Sequence, residues 1–418
     1  MSDALSTDPY KGVRDFYPDE LRKRDAVFSH VRKTLASWGY EEYNASPLER
    51  SEIYEKKGSE EIIRDQSYTF EDRGGRRVTL RPEMTPTLAR MVAAKRRELV
   101  FPLRWFSIGN RFRYERPQKG RTREFYQVDV DLIGLPEGEA DLEAVSLASS
   151  VLRDLGAKDA DFVIRMSSRK LLAMACKAAG ITDEAALQTY WQLLDKKNKM
   201  TPEAFAAARG EGTQDPLAQI ESGENADVRR ERDRILAVIN ALKARGISNV
   251  EFSPEIVRGF GYYTGMVFEI VDTNPENPRS LFGGGRYDGL VALFGGDPLP
   301  AVGFAFGDVT LMDFLETHNL SIKNTGAGLL YLATPEETDI PSAIDFAAKL
   351  RACGIDVFTN LTHKILSDQI KDAAKRGIRN FVAYGERERS GGLYELKDLD
   401  AHSTRQVSEE ELIATLSS

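Results

Sequence analysis

Six cationic side chains stand within thirteen residues of one segment of the chain, between residues 111 and 123. They are Arg111, Arg113, Arg116, Lys119, Arg121 and Arg123. With one acid among them, Glu115, the segment has a local net charge of +5, whereas the whole chain has a formal net charge of −8. Arginine pairs with phosphate oxygens through two parallel hydrogen bonds. Because exposed charges act over only about 10 Å, this segment can bind a phosphorylated ligand in an otherwise acidic protein.

Acidic and amide side chains follow at every second position of the next segment, at Gln127, Asp129 and Asp131. Successive side chains of a β-strand point to opposite faces of the sheet. A strand would therefore place these three on one face and the apolar residues between them on the other. Carboxylates accept hydrogen bonds from an ammonium group or an imidazole N–H. Arginines at one end of a site and carboxylates at the other would fit an amino acid held beside a nucleotide.

The same residues predict a long antiparallel hairpin with the arms "LRWFSIGNRFRYE" and "REFYQVDVDLIG", joined by the loop "RPQKGRT". The alternation alone favours a sheet with its polar face in water. The alternative is a ligand-binding face. The charge of the loop favours this alternative, and so does Gly109, because a glycine inside a strand often marks the close approach of a ligand.

Other elements must position this hairpin. The segment "RVTLRPE" predicts a short strand that reaches Glu83, and "TPTLARMVAAKRREL" predicts a helix with Thr85 as N-cap and Pro86 at its first position. Helices are also predicted over residues 19–38 and 137–155, and a charged helical insertion over about 166–250. The last ninety or so residues alternate strand and helix, which is typical of a small mixed or parallel α/β domain.

Composition and missing motifs exclude several classes of protein. A length of 418 residues allows two or three domains, and 41% hydrophobic with 29% charged residues is ordinary for a soluble globular protein. The sequence has no signal peptide and no run of about 18 apolar residues that would span a membrane, so we expect a cytoplasmic protein. Cys176 and Cys353 lie far apart and are predicted to be reduced core residues. GxxxxGK[ST] is absent, and "GGGRYDG" does not have the spacing of a dinucleotide-binding loop.

At the level of whole motifs, the chain resembles the class II aminoacyl-tRNA synthetases, and among them the histidyl-tRNA synthetases, over nearly its full length. "FRYERPQKGRTREFYQVDVDLIG" resembles motif 2 of the class, "WGYEEYNASPLE" resembles motif 1, and "TLRPEMTP" resembles the amino-acid-binding strand. "VRGFGYYTGMVFE" and "GGGRYDGL" are similar to two signatures of the histidine branch. The resemblance implies an α+β fold, in which an antiparallel-sheet catalytic domain over residues 1–325 contains the helical insertion. A small α/β anticodon-binding domain would follow over residues 326–418.

The resemblance also implies a function. The enzyme would activate L-histidine with ATP, with Mg²⁺ on the ATP, and transfer the histidyl group to tRNA(His), working as a cytoplasmic homodimer without membrane association. A non-catalytic regulatory paralogue that senses histidine and activates the first enzyme of histidine biosynthesis is the alternative. Against the paralogue stand the intact "RPQKGR" loop and the C-terminal α/β domain. A general tRNA-binding module would leave Glu83, Gln127, Asp131 and Tyr263 unexplained.

The resemblance implies a role for each matching residue. Arg113 and Arg258 would bind the α-phosphate as it gains negative charge, and Arg116 and Gln118 would meet the tRNA acceptor end. Histidine would be held by Glu83, Met84, Thr85, Gln127, Asp131, Arg258, Tyr262 and Tyr263. ATP would be held by Arg113, Glu115, Arg121, Arg123 and Phe125. No residue is predicted to hold a metal directly. From the residues alone, Tyr262 and Tyr263 could instead be packing aromatics, Arg258 a surface ion-pair partner and Gly283–Gly285 a tight turn.

Two positions depart from the family pattern. The histidine signature usually reads Arg-Gly-Leu-Asp-Tyr-Tyr, whereas here Phe260 and Gly261 replace the leucine and the aspartate. Motif 3 usually ends in an arginine that clamps adenine and the γ-phosphate, and this chain has Thr310 there, in "AVGFAFGDVTLMDFLE". We expect histidine binding to survive the first departure. The second leaves open which basic side chain covers the triphosphate.

Overall fold

The computed structural model describes residues 5–55, 65–197, 200–209, 214–256, 261–320 and 329–417. The chain divides into two compact units, Met1–Ile322 and Lys323–Ser418. The domain boundary that the sequence predicts, between residues 325 and 326, lies outside the described residues. Within the described ranges, no helix combines the length and the apolar composition needed to cross a membrane.

The first unit is built on an eight-stranded sheet with the strand order β1-β5-β6-β11-β10-β9-β7-β8. The strands are β1 Glu41–Glu42, β5 Leu103–Phe112, β6 Glu124–Ile133, β7 Phe162–Ser168, β8 Val250–Phe252, β9 Met266–Asp272, β10 Ser280–Arg286 and β11 Ala301–Gly307. The pairs β1–β5 and β7–β8 are parallel, and the pairs between them are antiparallel. The predicted α+β fold with an antiparallel sheet is confirmed.

Strands β5 and β6 form the predicted hairpin, paired from Leu103 opposite Ile133 to Phe112 opposite Glu124. Val128 and Val130 of β6 are buried in the main hydrophobic core. Because full burial of such a side chain contributes about 1.5–3 kcal/mol, a one-residue slip of the register would be costly. The apolar alternation thus fixes which face of the hairpin turns away from the core, and that face carries the polar residues.

Two helices cover the apolar face of this sheet, Pro18–Ser37 and Glu139–Asp154. Val31 of the first and Val145 of the second belong to the same core as Val128. Both helices were predicted, over residues 19–38 and 137–155. They leave the opposite, polar face of the sheet available for a site.

Local sequence sets the ends of the first helix. Pro18 stands at its first position, where the missing N–H costs no hydrogen bond. The Glu20 side chain accepts a hydrogen bond from the backbone N–H of Tyr17 at 2.9 Å. Gly39 follows the helix with a φ of +78°, a left-handed conformation that glycine adopts without steric cost.

A separate three-stranded sheet, with the order β2-β4-β3, leads into the next helix. Its strands are β2 Leu48–Arg50, β3 Tyr68–Glu71 and β4 Arg77–Leu80, and the short helix Glu52–Glu55 follows β2. Strand β4 ends at Leu80, so the predicted extension of the strand to Glu83 is wrong. The helix is Thr85–Lys95, and the residue before it, Met84, is the N-cap. The prediction of Thr85 as N-cap is wrong because Thr85 is already helical and its side chain faces a cavity, where Tyr262 hydrogen-bonds to it.

The described part of the chain between β7 and β8 is mainly helical, as predicted for the insertion over about 166–250, although β7 continues to Ser168. The helices are Arg169–Ala178, Glu184–Lys196, Pro202–Arg209, Pro216–Ser222 and Ala226–Ala244. They enclose their own hydrophobic cluster, in which Cys176 is buried. The remaining helix of this unit, Asp308–Thr317, follows β11, and a 3₁₀ turn lies at Val291–Phe294.

The second unit is a five-stranded mixed sheet with the order β13-β12-β14-β15-β16. Its strands are β12 Leu330–Ala333, β13 Val357–Thr359, β14 Asn380–Ala383, β15 Leu393–Asp398 and β16 Ser403–Ser408. Its helices are Ile340–Ala352, Leu366–Lys375, Glu386–Gly391 and Glu409–Leu416, with a 3₁₀ turn at Glu337–Asp339. Strands β12, β13 and β14 are parallel, and β15 and β16 add antiparallel edges. Cys353 is exposed here, so the prediction that it is a core residue is wrong.

Candidate active site

One cavity of about 400 Å³ lies on the polar face of β6, β10 and β11. Ten of the fifteen predicted site residues line it: Glu83, Thr85, Arg113, Glu115, Arg121, Phe125, Gln127, Asp131, Tyr262 and Tyr263. The polar face behind it is not in water. Arg111 has no exposed surface and Asp129 and Asp131 are each 3% exposed. The interpretation of a solvated face is therefore wrong.

Gly109 leaves space for a buried arginine rather than for a ligand. A Cβ at this position would lie 2.5 Å from a terminal guanidinium nitrogen of Arg81. Arg81 donates from Nε to the carbonyl oxygen of Asn110 at 3.0 Å and from Nη1 to that of Ala45 at 2.7 Å. Burial, followed by the nearby charge of Arg111, lowers the pKa of Arg81 to about 10. The close approach predicted at Gly109 is real, but the group that approaches belongs to the protein.

In the middle of the polar face, the buried side chains bind one another. Arg111 Nη2 lies 2.5 Å from Asp129 Oδ2, and both side chains are almost completely buried. Gln127 donates from Nε2 to Asp129 Oδ1 at 2.6 Å. A buried ion pair is retained where further hydrogen bonds satisfy it. Asp129 thus has both oxygens occupied, and the acids left to face a ligand are Asp131 and Glu83.

Asp131 presents one unpaired carboxylate oxygen. Its Oδ1 accepts a hydrogen bond from the Tyr287 hydroxyl, whereas its buried Oδ2 has no hydrogen-bond partner within the described part of the chain. Burial raises the pKa of Asp131 to about 8, and the Tyr287 hydrogen bond opposes that rise. Gly303 on β11 makes the space, because a Cβ there would lie 2.5 Å from Asp131 Oδ1. An unsatisfied buried acceptor in a cavity indicates a hydrogen-bond donor on the ligand.

Sequence reasoning missed Tyr287 and Gly303. Tyr287 belongs to "GGGRYDGL", which was noted as a signature, but its hydroxyl was given no role. The alternative that Gly283–Gly285 form a tight turn is wrong. These glycines, from the same signature, lie inside strand β10. A Cβ on Gly285 would lie 2.9 Å from the ring of Tyr263, so this glycine keeps room for a cavity-lining aromatic.

Glu83 is the second acid of the cavity. It is 3% exposed, and its Oε2 accepts a hydrogen bond from the Tyr262 hydroxyl at 2.9 Å. Burial raises the pKa of Glu83 to about 7, and the positive charge of Arg113 opposes that rise. The carboxyl is therefore close to half ionised at neutral pH, and a cationic group on a ligand would draw it into the charged form.

Arg113 is an arginine that lines the cavity. Its Nε donates to the carbonyl oxygen of Pro82 at 3.0 Å, and its guanidinium carbon lies 5.2 Å from the centre of the Phe125 ring. Burial lowers the pKa of Arg113, and Glu83 and Glu115 partly restore it. An arginine held by its Nε and stacked on an aromatic ring keeps its terminal nitrogens for an anionic ligand.

Two more arginines mark the outer end of the cavity. Arg121 is exposed and its Nη1 lies 3.0 Å from Glu115 Oε2. Arg279, which the sequence analysis did not single out, also lines the cavity, immediately before β10. Thr310, at the start of the helix Asp308–Thr317, lines it as well and donates from Oγ1 to the carbonyl oxygen of Gly307 at 3.3 Å.

Four predicted residues do not line the cavity, and a fifth cannot be placed. Arg123 contacts Tyr10 and Tyr114 instead, with a hydrogen bond of 2.9 Å to the Tyr10 hydroxyl. It does not line the cavity, and its predicted role in holding ATP stays a prediction. Met84 is fully buried, with its sulfur 3.7 Å from Arg81 Nη1. Arg116 and Gln118 are exposed outside the cavity, and Arg258 lies outside the described residues, with Phe260.

The cavity therefore has two chemically different ends. Asp131, with its unpaired oxygen, and Glu83 mark the acidic end, where Arg113 lies beside Glu83, and Arg121 and Arg279 mark the outer, basic end. No group of three or more histidine, cysteine, aspartate or glutamate side chains in the described ranges could hold a metal ion. The arrangement can bind a ligand with a cationic, hydrogen-bond-donating part and an anionic part.

Comparison with known proteins agrees with the order of these motifs. Residues 12–310 match a family model described as histidyl-tRNA synthetase, and residues 330–418 match one described as an anticodon binding domain. A curated protein of Leptospira biflexa named histidine–tRNA ligase is 39% identical over 410 residues, covering 94% of each chain. Proteins of that name are ligases, and the predicted family is confirmed.

Solved structures share the fold. The crystal structure of histidyl-tRNA synthetase from Nostoc sp. PCC 7120 has a TM-score of 0.77 and 23% identity, with 99% of each chain covered. A Bacillus halodurans structure described as an ATP phosphoribosyltransferase regulatory subunit/histidyl-tRNA synthetase has a TM-score of 0.71 and 23% identity, covering 92% of this chain and 100% of the other. At these identities the two structures support the fold alone. From the match over residues 12–310 and the relative aligned along 94% of its length, the chain belongs to the histidyl-tRNA synthetase family.

Proposed function

We propose that the chain is a histidine–tRNA ligase. It activates L-histidine with ATP to histidyl-adenylate, with release of pyrophosphate, and transfers the histidyl group to the 3′ end of tRNA(His). The observation that carries the proposal is the unpaired Oδ2 of Asp131 in a cavity that is also lined by Arg113, which lies beside Glu83. This pairing fits a ligand that presents an imidazole N–H to Asp131 and a reacting phosphate to Arg113.

The histidine would lie along the acidic end of the cavity. Asp131 accepts a hydrogen bond from the imidazole, and Tyr263 faces the ring beside it. Glu83 binds the α-ammonium group, together with Thr85 and the side-chain oxygen of Gln127, since the amide nitrogen of Gln127 is already donated to Asp129. A site built to satisfy polar groups in this way rejects analogues that lack them by about 10⁴–10⁵-fold.

The nucleotide would lie along the basic end. Phe125 stacks on adenine, with Glu115 near its amino group. Arg113 binds the α-phosphate, and Arg258 contributes to the same phosphate in the proposal taken from the family pattern. The attack of the histidine carboxylate needs alignment and charge neutralisation rather than a nucleophilic side chain. Mg²⁺ enters with the phosphates of ATP, as part of the substrate.

Partners outside the cavity follow from the family. The match of residues 330–418 to an anticodon binding domain supports tRNA as a partner. We assign Arg116 and Gln118, which are both exposed, to its acceptor end. We further propose a homodimer, from the motif 1 resemblance, working in the cytoplasm.

A histidine-sensing regulatory paralogue remains the second candidate. One observation favours it, namely Thr310 at the position of the motif 3 arginine. The C-terminal unit argues for the ligase, because a metabolite sensor has no use for a domain that reads an anticodon. The intact cationic loop between β5 and β6 argues the same way.

Amino-acid-dependent ATP–pyrophosphate exchange tests the two candidates directly. We expect exchange with histidine and with none of the other nineteen amino acids, in the presence of Mg²⁺. Exchange with histidine alone establishes adenylation and specificity together. No exchange, with histidine still bound in a calorimetric titration, would make the regulatory paralogue the better reading.

The raised pKa of Glu83 predicts how histidine binding depends on pH. A carboxyl whose pKa is raised to about 7 keeps its proton below that pH, and the protonated form does not neutralise an ammonium group. Histidine affinity should therefore rise about tenfold from pH 6 to pH 8 through this residue. Calorimetric titrations at both pH values measure the change.

The variant Glu83→Gln provides the comparison for that experiment. The free imidazole of histidine also titrates near pH 6.5, but its contribution is common to both proteins. The ratio of the two dissociation constants should therefore isolate the ionisation of Glu83. A ratio that is the same at pH 6 and pH 8 would contradict the assignment of the ammonium to Glu83.

A further inference from the structure

Arg279 and Thr310 meet at the same point on the rim of the cavity. That point is Gly120, in the cationic loop, where a Cβ would lie 2.8 Å from Arg279 Cδ, 3.3 Å from its Nε and 3.6 Å from Thr310 Cγ2. Gly120 has a φ of +73°, so the turn requires a glycine and the arginine stem occupies the space that a side chain would fill. The arginine thus lies directly beside the position where the family pattern has its motif 3 arginine.

Arg279 forms no ion pair in the described part of the cavity, although the charge of Glu115 favours its charged form. Across the described ranges, no carboxylate lies within ion-pair distance of it, whereas the cavity's other outer cation, Arg121, is paired with Glu115. Burial, followed by the nearby charge of Arg121, lowers the pKa of Arg279. Two cations held side by side repel each other unless an anion joins them, so the pair is suited to a polyanionic ligand.

The segment that carries Arg279 is fixed on both sides. Arg279 donates from Nε to the carbonyl oxygen of Lys119 at 3.1 Å. The Asn277 side chain donates to Asp272 Oδ2 at 2.8 Å and to Thr317 Oγ1 at 3.0 Å. The segment is therefore anchored to the cationic loop, to β9 and to the helix that carries Thr310. With Nε occupied by the loop, the terminal nitrogens of Arg279 remain for a ligand.

We infer that Arg279 takes over the phosphate-binding part of the absent motif 3 arginine, without its contact to adenine, and binds the outer phosphates of the nucleotide. This inference rests on the proposed function and names the residue that completes its nucleotide site. Within the described lining of the cavity, the cations are Arg113, Arg121 and Arg279. Arg113 lies beside Glu83 and Phe125 at the inner end, and Arg121 is paired with Glu115. Arg279 is the cation that stands next to neutral Thr310.

The test is the binding of two nucleotides, AMP and α,β-methylene-ATP, to the full chain in calorimetric titrations. In Arg279→Ala, the triphosphate analogue should bind about tenfold to a hundredfold more weakly, as expected for loss of a hydrogen-bonded charge. AMP should bind within about twofold of the unmodified chain by the same reasoning, because the inference assigns no contact to the α-phosphate or adenine. Arg279→Gln, which keeps the hydrogen bond to Lys119 and most of the stem, should show the same selective loss.

A second substitution provides the positive control. In the double variant Arg279→Ala/Thr310→Arg, the arginine returns at the position of the family pattern and should recover at least part of the triphosphate affinity. Arg165→Ala removes a partly exposed arginine from β7 of the same sheet, paired with Glu251, and should change the affinity for neither nucleotide. Equal weakening of AMP and the triphosphate analogue, or no weakening of either, would overturn the inference.

These titrations do not depend on turnover. Failure of the proposed function would be seen in the unmodified chain, as absence of histidine-dependent pyrophosphate exchange. Failure of the inference would be seen in the ratio of the two nucleotide affinities between variant and unmodified chain. The two outcomes are therefore distinguishable.

Discussion

The variant Arg113→Ala is expected to form histidyl-adenylate about 10²–10³ times more slowly than the unmodified chain, which is the typical effect of removing one group aimed at developing charge. Its affinity for histidine should change much less. Single-turnover adenylate formation and pyrophosphate exchange measure the first quantity, and calorimetric titration with histidine measures the second. The predicted separation of the two effects defines the role of Arg113.

The reason lies in the surroundings of Arg113. Its Nε is held by the carbonyl oxygen of Pro82 and its guanidinium stacks near Phe125, so it is positioned before the ligand arrives. Negative charge grows on the α-phosphate as the histidine carboxylate attacks it. A preorganised cation that needs no rearrangement at that moment stabilises the transition state more than the bound substrates.

A secondary effect on histidine binding is expected and can be controlled. The positive charge of Arg113 opposes the rise in the pKa of Glu83. Removing that charge raises the pKa of Glu83 further, so at pH 7 less of the carboxylate is available to the ammonium group. The comparison is therefore best made at pH 8, where Glu83 is largely ionised in the unmodified chain.

Two variants frame the result. Arg113→Lys keeps the charge but loses bidentate geometry and should fall between the unmodified chain and Arg113→Ala. Arg165→Ala, which removes a partly exposed arginine of the same sheet, should leave the rate unchanged. If Arg113→Ala lowered histidine affinity and adenylate formation by the same factor at pH 8, Arg113 would be a substrate-positioning or packing residue instead.

The hairpin at the centre of the site could be predicted because apolar and polar residues alternate along its strands. Val128, Val130 and Leu132 must be buried, and the register that buries them places Gln127, Asp129 and Asp131 together on the other side. The sequence did not reveal that this other side is also buried. Its cover comes from residues far along the chain, such as Tyr287, whose hydroxyl donates to Asp131, and alternation within one strand carries no information about them.

Residues in loops were predicted less well, for a related reason. Loop side chains follow no period, so the partner of each arginine depends on the path of the chain. Arg123 contacts Tyr10, which lies more than a hundred residues before it. Arg279 reaches the cavity from a segment without any signature of its own. In both cases the family pattern could indicate that a cation is needed, but it could not say which one.

Gly109 shows a limit of a different kind. Its presence in a strand correctly indicated that another group approaches the backbone closely. The sequence does not indicate whether that group belongs to a ligand or to the protein. The group is the buried guanidinium of Arg81. Gly303 likewise leaves room for a protein group, the carboxylate of Asp131, but that group lines the cavity.

Asp131→Asn is the second substitution with a large expected effect, here on histidine binding. We expect the dissociation constant for histidine to rise by about 10²-fold, the size of effect expected when a hydrogen-bond acceptor in a desolvated site is replaced by a donor. Calorimetric titration with histidine measures it. Glu251→Gln, an exposed acid on β8 of the same sheet, is the matched control and should bind as the unmodified chain does.

The geometry explains why so conservative a change should matter. The Tyr287 hydroxyl donates to Oδ1 of Asp131, so an asparagine would keep its oxygen toward Tyr287 and turn its amide nitrogen to the cavity. That nitrogen donates hydrogen bonds and cannot accept one from an imidazole N–H. The variant would thus place two donors against each other in the position where the unmodified chain has an unpaired acceptor.

A histidine analogue without a ring N–H distinguishes loss of the Asp131–imidazole hydrogen bond from a general disturbance of the site. In 3-(2-thienyl)alanine the ring is of similar size, but it has no N–H to donate. We expect the unmodified chain to bind this analogue much more weakly than histidine, and Asp131→Asn to show little further loss with it. The coupling between the substitution and the analogue then measures the Asp131–imidazole contact itself. If the substitution weakened both ligands equally, Asp131 would support the fold of the pocket, and the imidazole would have to be recognised by another group.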